Sequence, residues 1–192
     1  METVLLYIKH NLKPLWKVIE RCNEFALKIM YHKQLIELEN QYCNPTETNN
    51  GFHYRLITQD DVDKLYGLLS GLDEGHVKFF KPHGFTCDDL KQVLQSKHLL
   101  TFGYFYKKEL VGYFFLRLFA GKKAFLGVIV DPSYSGRGIG KDMINILCGI
   151  AGKLRWVAYA TMSEKNVASL KLHNYQIVKK LPNEYVLLKY ID

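Results

Sequence analysis

Apolar residues along this chain fall into short runs broken by glycine, proline and lysine, and the runs predict an alternating α/β order. The clearest stretch is Val128-Ile129-Val130, a β-branched run stopped by Asp131-Pro132, since proline cannot continue a central ladder. Gly136, Gly138 and Gly140 follow. Then Ile139, Met143, Ile146, Leu147 and Ile150 recur on one face of a helix. Upstream, residues 100–106, 110–120 and 124–130 read as three strands, and the short lysine-rich turns between them imply antiparallel pairing. A first strand is expected at 53–58. Thr58 then caps a helix from Gln59 to about Ser70, and Thr86 with Asp89 opens another to about Ser96. Residues 71–85 read as an aromatic, histidine-bearing loop. Downstream, a strand at 155–161, a helix at 164–173 and strands at 175–179 and 185–190 complete the order βααβββαβαββ, a mixed sheet of about seven strands with helices on both faces.

The first 51 residues stand apart from this order. Residues 14–40 predict a helix, with Pro14 suited to its first turn. Leu15, Ile19, Cys22, Ala26 and Ile29 form its apolar stripe, expected to pack on its own domain or on a partner helix, as in a homodimer. A membrane-surface role is the alternative, because Lys9, Lys13, Lys17 and Arg21 lie near Trp16. Residues 43–51 are polar turn formers and read as a linker. The division is therefore an N-terminal helical extension at 1–51 and an α/β domain at 52–192.

Composition narrows the function classes. With 192 residues and 48% hydrophobic content the chain can bury a sizeable core. Four widely spaced cysteines, with no C-x-x-C, indicate neither a zinc site nor a disulfide framework. No secretory leader and no uncharged membrane-spanning run is visible, so a cytoplasmic protein is expected. The net charge is +7, and most of the excess falls in residues 121–192, with eleven basic and five acidic side chains. That field suits a polyanionic small molecule. No dense basic cluster or binding module points to nucleic acid.

The glycine-rich turn carries the candidate chemistry. Glycines let the backbone approach a ligand closely, and the first N–H groups of a helix, with its dipole, bind phosphate. Arg137 and Lys141 add charge. The Walker pattern fails because Asp142 follows Gly140-Lys141, and the Rossmann pattern fails on spacing. The stretch instead resembles motif A of the GNAT superfamily of N-acetyltransferases, Arg/Gln-x-x-Gly-x-Gly/Ala after a strand ending Val-x-Pro. Val130-Asp131-Pro132 matches the strand end, and Gly138 and Gly140 match the glycines. Ser135 stands at the Arg/Gln position, where its backbone N–H can still serve.

The resemblance implies acetyl-CoA as co-substrate. Its phosphates would rest on Ser135, Gly136, Arg137, Gly138, Ile139, Gly140 and Lys141. Its pantetheine would pair with the strand Val128, Ile129 and Val130, splayed from its neighbour, and an N–H near Val130 would polarise the thioester carbonyl. The family's second motif, Asn-x-x-Ala/Ser-x-x-Leu-Tyr, is matched by Asn166, Ser169 and Leu172, with His173 at the tyrosine position. His173 is then the candidate acid for the departing thiolate, with Tyr175 as alternative. His83, Glu74 and Asp73 are candidate bases, and a water-relayed base is the other option.

The loop at 71–85 is expected to form the acceptor wall. Phe79, Phe80, Phe85 and Pro82 offer apolar faces beside Asp73, Glu74, His76, Lys78, Lys81 and His83. This mixture suits an amino sugar, free or nucleotide-linked, and the run resembles acetyltransferases of bacterial surface-polysaccharide synthesis. The alternatives are a small amine, a protein amine, a non-catalytic acyl-CoA-binding module, and a basic interaction protein working through residues 1–33.

Overall fold

Phenylalanine, tyrosine, valine and leucine fill three consecutive runs, and these pair as antiparallel strands: β3 (Leu99–Tyr106), β4 (Glu109–Phe119) and β5 (Lys123–Val130). Lys107 and Lys122 take the left-handed conformation in the connecting turns, at φ 54° and 57°. Residues 110–118 of β4 are buried without alternation, because helices cover both faces of the sheet. The computed structural model describes residues 11–48, 51–80, 82–166, 174–182 and 185–190.

Outside β3 lies β2 (Phe52–Leu56), and outside that a two-residue strand β1 (Thr46–Glu47). The stretch read as a linker therefore contributes an edge strand. Thr48 explains it: its N–H and hydroxyl both donate to Phe52 O, at 2.8 and 3.0 Å, folding the chain back on β2. On the other side of β5 come β6 (Val157–Ser163), β7 (Tyr175–Leu181) and β8 (Tyr185–Tyr190), in the sheet order β1-β2-β3-β4-β5-β6-β8-β7. The sheet has eight strands, and β5 and β6 pair in parallel. β6 starts two residues later than its hydrophobic pattern suggests. Arg155 turns the chain at φ 57° and Trp156 buries itself before the ladder begins.

On one face lie α2 (Val62–Ser70) and α4 (Cys87–Gln95). Thr86 with Asp89 forms the expected capping box of α4, while Thr58, the expected cap, forms a box with Asp61 on a 3-10 turn, Gln59–Asp61, so that α2 begins three residues later than its pattern suggests. A one-turn helix, α3 (Glu74–Val77), interrupts the predicted loop, and its cap is Asp73, whose carboxylate accepts from His76 N at 2.9 Å. Leu65, Leu69 and Leu90 pack there on Phe105, Tyr113, Phe115 and Ile129. On the opposite face, α5 (Ile139–Lys153) buries Met143, Leu147 and Ile150 against Phe102, Phe114 and Leu116. Of the helix predicted at 164–173, residues 167–173 lie outside the described residues.

The long helix α1 (Lys13–Tyr42) joins this second core through Leu27, Leu35, Leu38 and Tyr42. Of its predicted stripe, Ile19 and Ala26 are half-buried and the other three positions are not. Leu15, Cys22 and Ile29 face solvent, whereas Glu20, Asn23, Glu24 and Tyr31 turn toward the domain. The reason is polar. Asn23 Nδ2 donates to Leu118 O at 2.8 Å, its Oδ1 accepts from Ala120 N at 3.0 Å, and the Tyr31 hydroxyl donates to Ala120 O at 3.2 Å. Together they satisfy backbone at the end of β4, a gain that hydrophobicity counting cannot see. Glu24 lies 2.9 Å from His98 Nδ1 and accepts from Ser96 Oγ at 2.6 Å, and Glu20 lies 4.0 Å from the buried Arg117. Burial pushes the Glu20 carboxyl up, but His98 and Arg117 outweigh it and hold the group below the usual range. At Tyr31 the helix breaks, with φ −131°.

Candidate functional site

The parallel strands β5 and β6 share a short ladder, Lys123–Phe125 against Val157–Tyr159. Beyond it they part. β6 follows β8 from Tyr159 to Ser163, while β5 stays on β4 to Val130, and Asp131 N still donates to Val111 O at 2.9 Å. Among the described residues, Leu126 to Val130 have no ladder partner in β6, so the two strands form a wedge with one edge of β5 backbone inside it. Phe125 and Tyr159 stack across the vertex at 5.6 Å. Ile129 is buried in the α2–α4 core, and Val128 and Val130 are half-buried on the α5 side.

The open end of the wedge leads into the glycine turn. Asp131 accepts from Ser133 N at 2.8 Å and starts a 3-10 turn, Pro132–Tyr134. Ser135 N donates to Pro132 O at 3.0 Å, so the N–H that could have served a ligand closes this turn instead. Gly136 and Gly138 take φ of 77° and 82°, and Gly138 is the N-cap of α5. A Cβ built on either glycine meets no atom within 4 Å. Backbone conformation and open approach, not packing, therefore select glycine here. The first bond inside the helix is Asp142 N to Gly138 O at 3.0 Å, so the N–H groups of Ile139, Gly140 and Lys141 precede the helical ladder. Ile139 is buried and anchors the turn, Lys141 is exposed, and the Arg137 guanidinium lies over the Tyr134 ring at 4.8 Å. An open strand edge, two left-handed glycines and a helix N-terminus in sequence fit a long ligand ending in phosphates.

The second motif is partly in place. Asn166 N donates to Ser163 O at 3.0 Å, setting Asn166 at the turn beyond the open end of β6. Ser169 and His173 lie outside the described residues. Tyr175 opens β7, and β8 stands between β7 and β6, which puts it two strands, roughly 10 Å, from the wedge. Its ring packs on the α5-side core.

The candidate bases are not gathered at the wedge. Glu74 is exposed on α3. His83 has both ring nitrogens engaged. Nδ1, 2.7 Å from Gly84 O, must donate, and in the neutral ring Nε2 then accepts from the Tyr113 hydroxyl at 3.0 Å. Burial pushes the Tyr113 phenol well above its ordinary range, which keeps it a neutral donor. The aromatics of the loop are likewise turned inward. Phe80 packs on Phe85, Tyr113 and Phe115 with centroids 6.1–6.4 Å apart. Pro82 O accepts from Arg117 at 3.2 Å.

What the pattern did not reveal is where this loop lands. A Cβ on Gly127 would come 3.3 Å from the Phe80 ring and closer still to Phe115. The loop thus meets β5 just beyond the point where the wedge opens. A glycine inside an otherwise bulky strand was the available signal. Among the described residues, no group of three histidine, cysteine, aspartate or glutamate side chains could hold a metal ion.

The acetyltransferase (GNAT) family model matches residues 70–175. Solved structures agree on the fold. The GNAT domain of S. lividans PAT superposes with a TM-score of 0.66 at 14% identity, over 77% of this chain and 95% of that one. PaiA N-acetyltransferase from Thermoplasma acidophilum, in complex with coenzyme A, gives 0.63 at 15% identity over 73% and 99%. A ribosomal-protein-S5-alanine acetyltransferase from Vibrio fischeri gives 0.63 at 17% identity over 77% and 96%. No curated protein matches the chain.

Proposed function

The chain belongs to the acetyltransferase (GNAT) family, and we propose that it moves the acetyl group of acetyl-CoA to the primary amine of an amino sugar, gripping the coenzyme between β5 and β6. The observation that carries the coenzyme site is the wedge beyond Phe125 and Tyr159, continuous with the left-handed Gly136 and Gly138 at the start of α5.

Bound acetyl-CoA supplies an activated acetyl thioester. The protein's part is to hold and orient. N–H groups from Gly136 to Lys141 receive the phosphates, with Lys141 adding charge at the rim. The free edge of Val128, Ile129 and Val130 pairs with the pantetheine amide, and a backbone N–H there polarises the thioester carbonyl. Asn166 borders the same cleft. The acceptor enters from the α2–α4 face, where Phe80 meets Gly127. Proton transfer falls to His173 as acid, on the resemblance of the second motif, with Tyr175 held farther away by β8. The base is a water relay, since His83 is engaged by Gly84 and Tyr113.

For the acceptor, support comes from the exposed Asp73, Glu74, His76 and Lys78 beside the half-buried Phe79, a mixture of hydrogen-bonding groups and one apolar face. Phe80 and Phe85 do not supply the stacking faces the loop promised, because they hold it to the core. That inward turn favours, as second reading, a small amine or protein amine that needs no stacking surface. A thiol-release assay over amino-sugar nucleotides, free amino sugars, polyamines, amino acids and peptides decides between them. Turnover confined to amino sugars is expected, and activity on peptides or polyamines alone would defeat the amino-sugar proposal. In the same assay His173→Ala is expected to lower turnover by about 10²–10⁴-fold with coenzyme affinity kept.

A further inference from the structure

The face of α1 opposite its buried side is apolar and open. Leu15, Val18, Cys22, Phe25 and Ile29 recur at spacings of 3, 4, 3 and 4 along it, and all are exposed, Phe25 and Ile29 by 68% and 66%. Leu12 and Met30 widen the stripe. The stripe stops where the helix breaks at Tyr31. Beyond the break the outward positions are largely polar: His32, Lys33, Glu37 and Asn40.

The charges on this half of the helix are sorted by side. Glu20 and Glu24, its two acidic residues, turn inward and are held by His98, Ser96 and Arg117. Lys17, Arg21 and Lys28 are exposed. Among the described residues, the charges exposed beside the apolar crest on this half of the helix are all positive. A second copy is a poor occupant, because an antiparallel two-fold pair along this crest would lay the basic flank of one copy, Lys17, Arg21 and Lys28, beside the same flank of the other. A convex ridge of this kind matches a planar anionic surface, into which the crest can sink while the basic side chains stay at headgroup level.

We propose that the first half of α1 is a membrane-surface helix that docks the enzyme on anionic lipid. The test uses the full chain in vesicle co-sedimentation. Vesicles of phosphatidylcholine alone are compared with vesicles carrying about 30% phosphatidylglycerol. Stronger binding to the anionic vesicles is expected, weakened by about 0.5 M salt. Arg21→Gln with Lys28→Gln should lower it about 30-fold, from about fivefold per basic side chain near the surface. Phe25→Gln with Ile29→Gln, both on an exposed face remote from the wedge, should abolish vesicle binding while coenzyme affinity and acetyl transfer stay unchanged. Equal binding to both vesicle types would overturn the proposal, as would undiminished binding by the Phe25/Ile29 variant. So would sedimentation showing a dimer that this variant dissolves, with no vesicle binding, which assigns the crest to a second copy.

Discussion

Two glycines in α5 should respond to the same substitution with opposite sign. Gly138 caps the helix at φ 82° and ψ −5°, whereas Gly149 lies in its exposed interior, and a Cβ at either site meets no atom within 4 Å. No clash enters either balance, so backbone preference decides. A non-glycine residue held in the left-handed region costs about 1–2 kcal/mol. Alanine in place of glycine inside a helix gains about 1 kcal/mol. Gly138→Ala should therefore lower Tm by about 2–8 °C and Gly149→Ala raise it by about 2–4 °C, at about 2–4 °C per kcal/mol for a chain of this size. The ligand response separates them further. If the strained loop relaxes, its N–H groups no longer converge, and coenzyme A must restore the strained form on binding. That moves the 1–2 kcal/mol penalty, in whole or in part, from stability into affinity, a loss of up to about 5- to 30-fold. Gly149→Ala should bind normally, and Gly138→Asn, which tolerates this conformation better, should fall between. Scanning calorimetry reads the first effect and titration calorimetry with coenzyme A the second. Wild-type affinity in Gly138→Ala without the full Tm loss would refute the placement of the phosphates. Two Tm shifts of the same sign would refute the reasoning from φ.

The remaining predictions concern the walls of the site. Asp61 is buried, bonded to both Arg55 nitrogens at 2.7 and 2.8 Å and to Thr58. Burial pushes its carboxyl up, but Arg55, Thr58 and Lys64 outweigh this and hold it well below the usual range. Because the folded group is depressed, its stabilisation is present above the ordinary value of about 3.9 and lost as pH falls below it. Urea midpoints should thus drop between pH 7 and pH 3, with a smaller drop in Asp61→Asn, itself about 2–3 kcal/mol less stable at pH 7 because Arg55 loses its partner. His83→Ala strands the buried Tyr113 hydroxyl and should cost about 1–3 kcal/mol. Pairing it with Tyr113→Phe should recover part of that loss, and turnover should fall less than the hundredfold or more expected of a catalytic base. A full catalytic collapse with unchanged stability would restore His83 to the base role.

Local chemistry made much of this protein legible in its sequence. Thr58 with Asp61 and Thr86 with Asp89 open helices wherever the chain goes on to pack, because a cap bonds within three or four residues of itself. The run Val128 to Val130, Pro132 and the glycines at 136 and 138 likewise specify strand, stop and left-handed turn from their own φ and donor limits. Tertiary structure decided what depends on distant partners. α1 turned its polar side inward because Asn23 and Tyr31 found the unpaired end of β4, about 90 residues away in sequence. His83 became a pin and not a free base because Tyr113 stands 3.0 Å from it. Phe80 reached β5 two residues beyond the vertex because Gly127 leaves room there. The wedge itself belongs to no single stretch, since it exists only where β5 keeps to β4 and β6 leaves with β8. A residue's local preference is written in its neighbours along the chain, but a hydrogen bond or an opening between strands is settled by which distant groups the fold brings together.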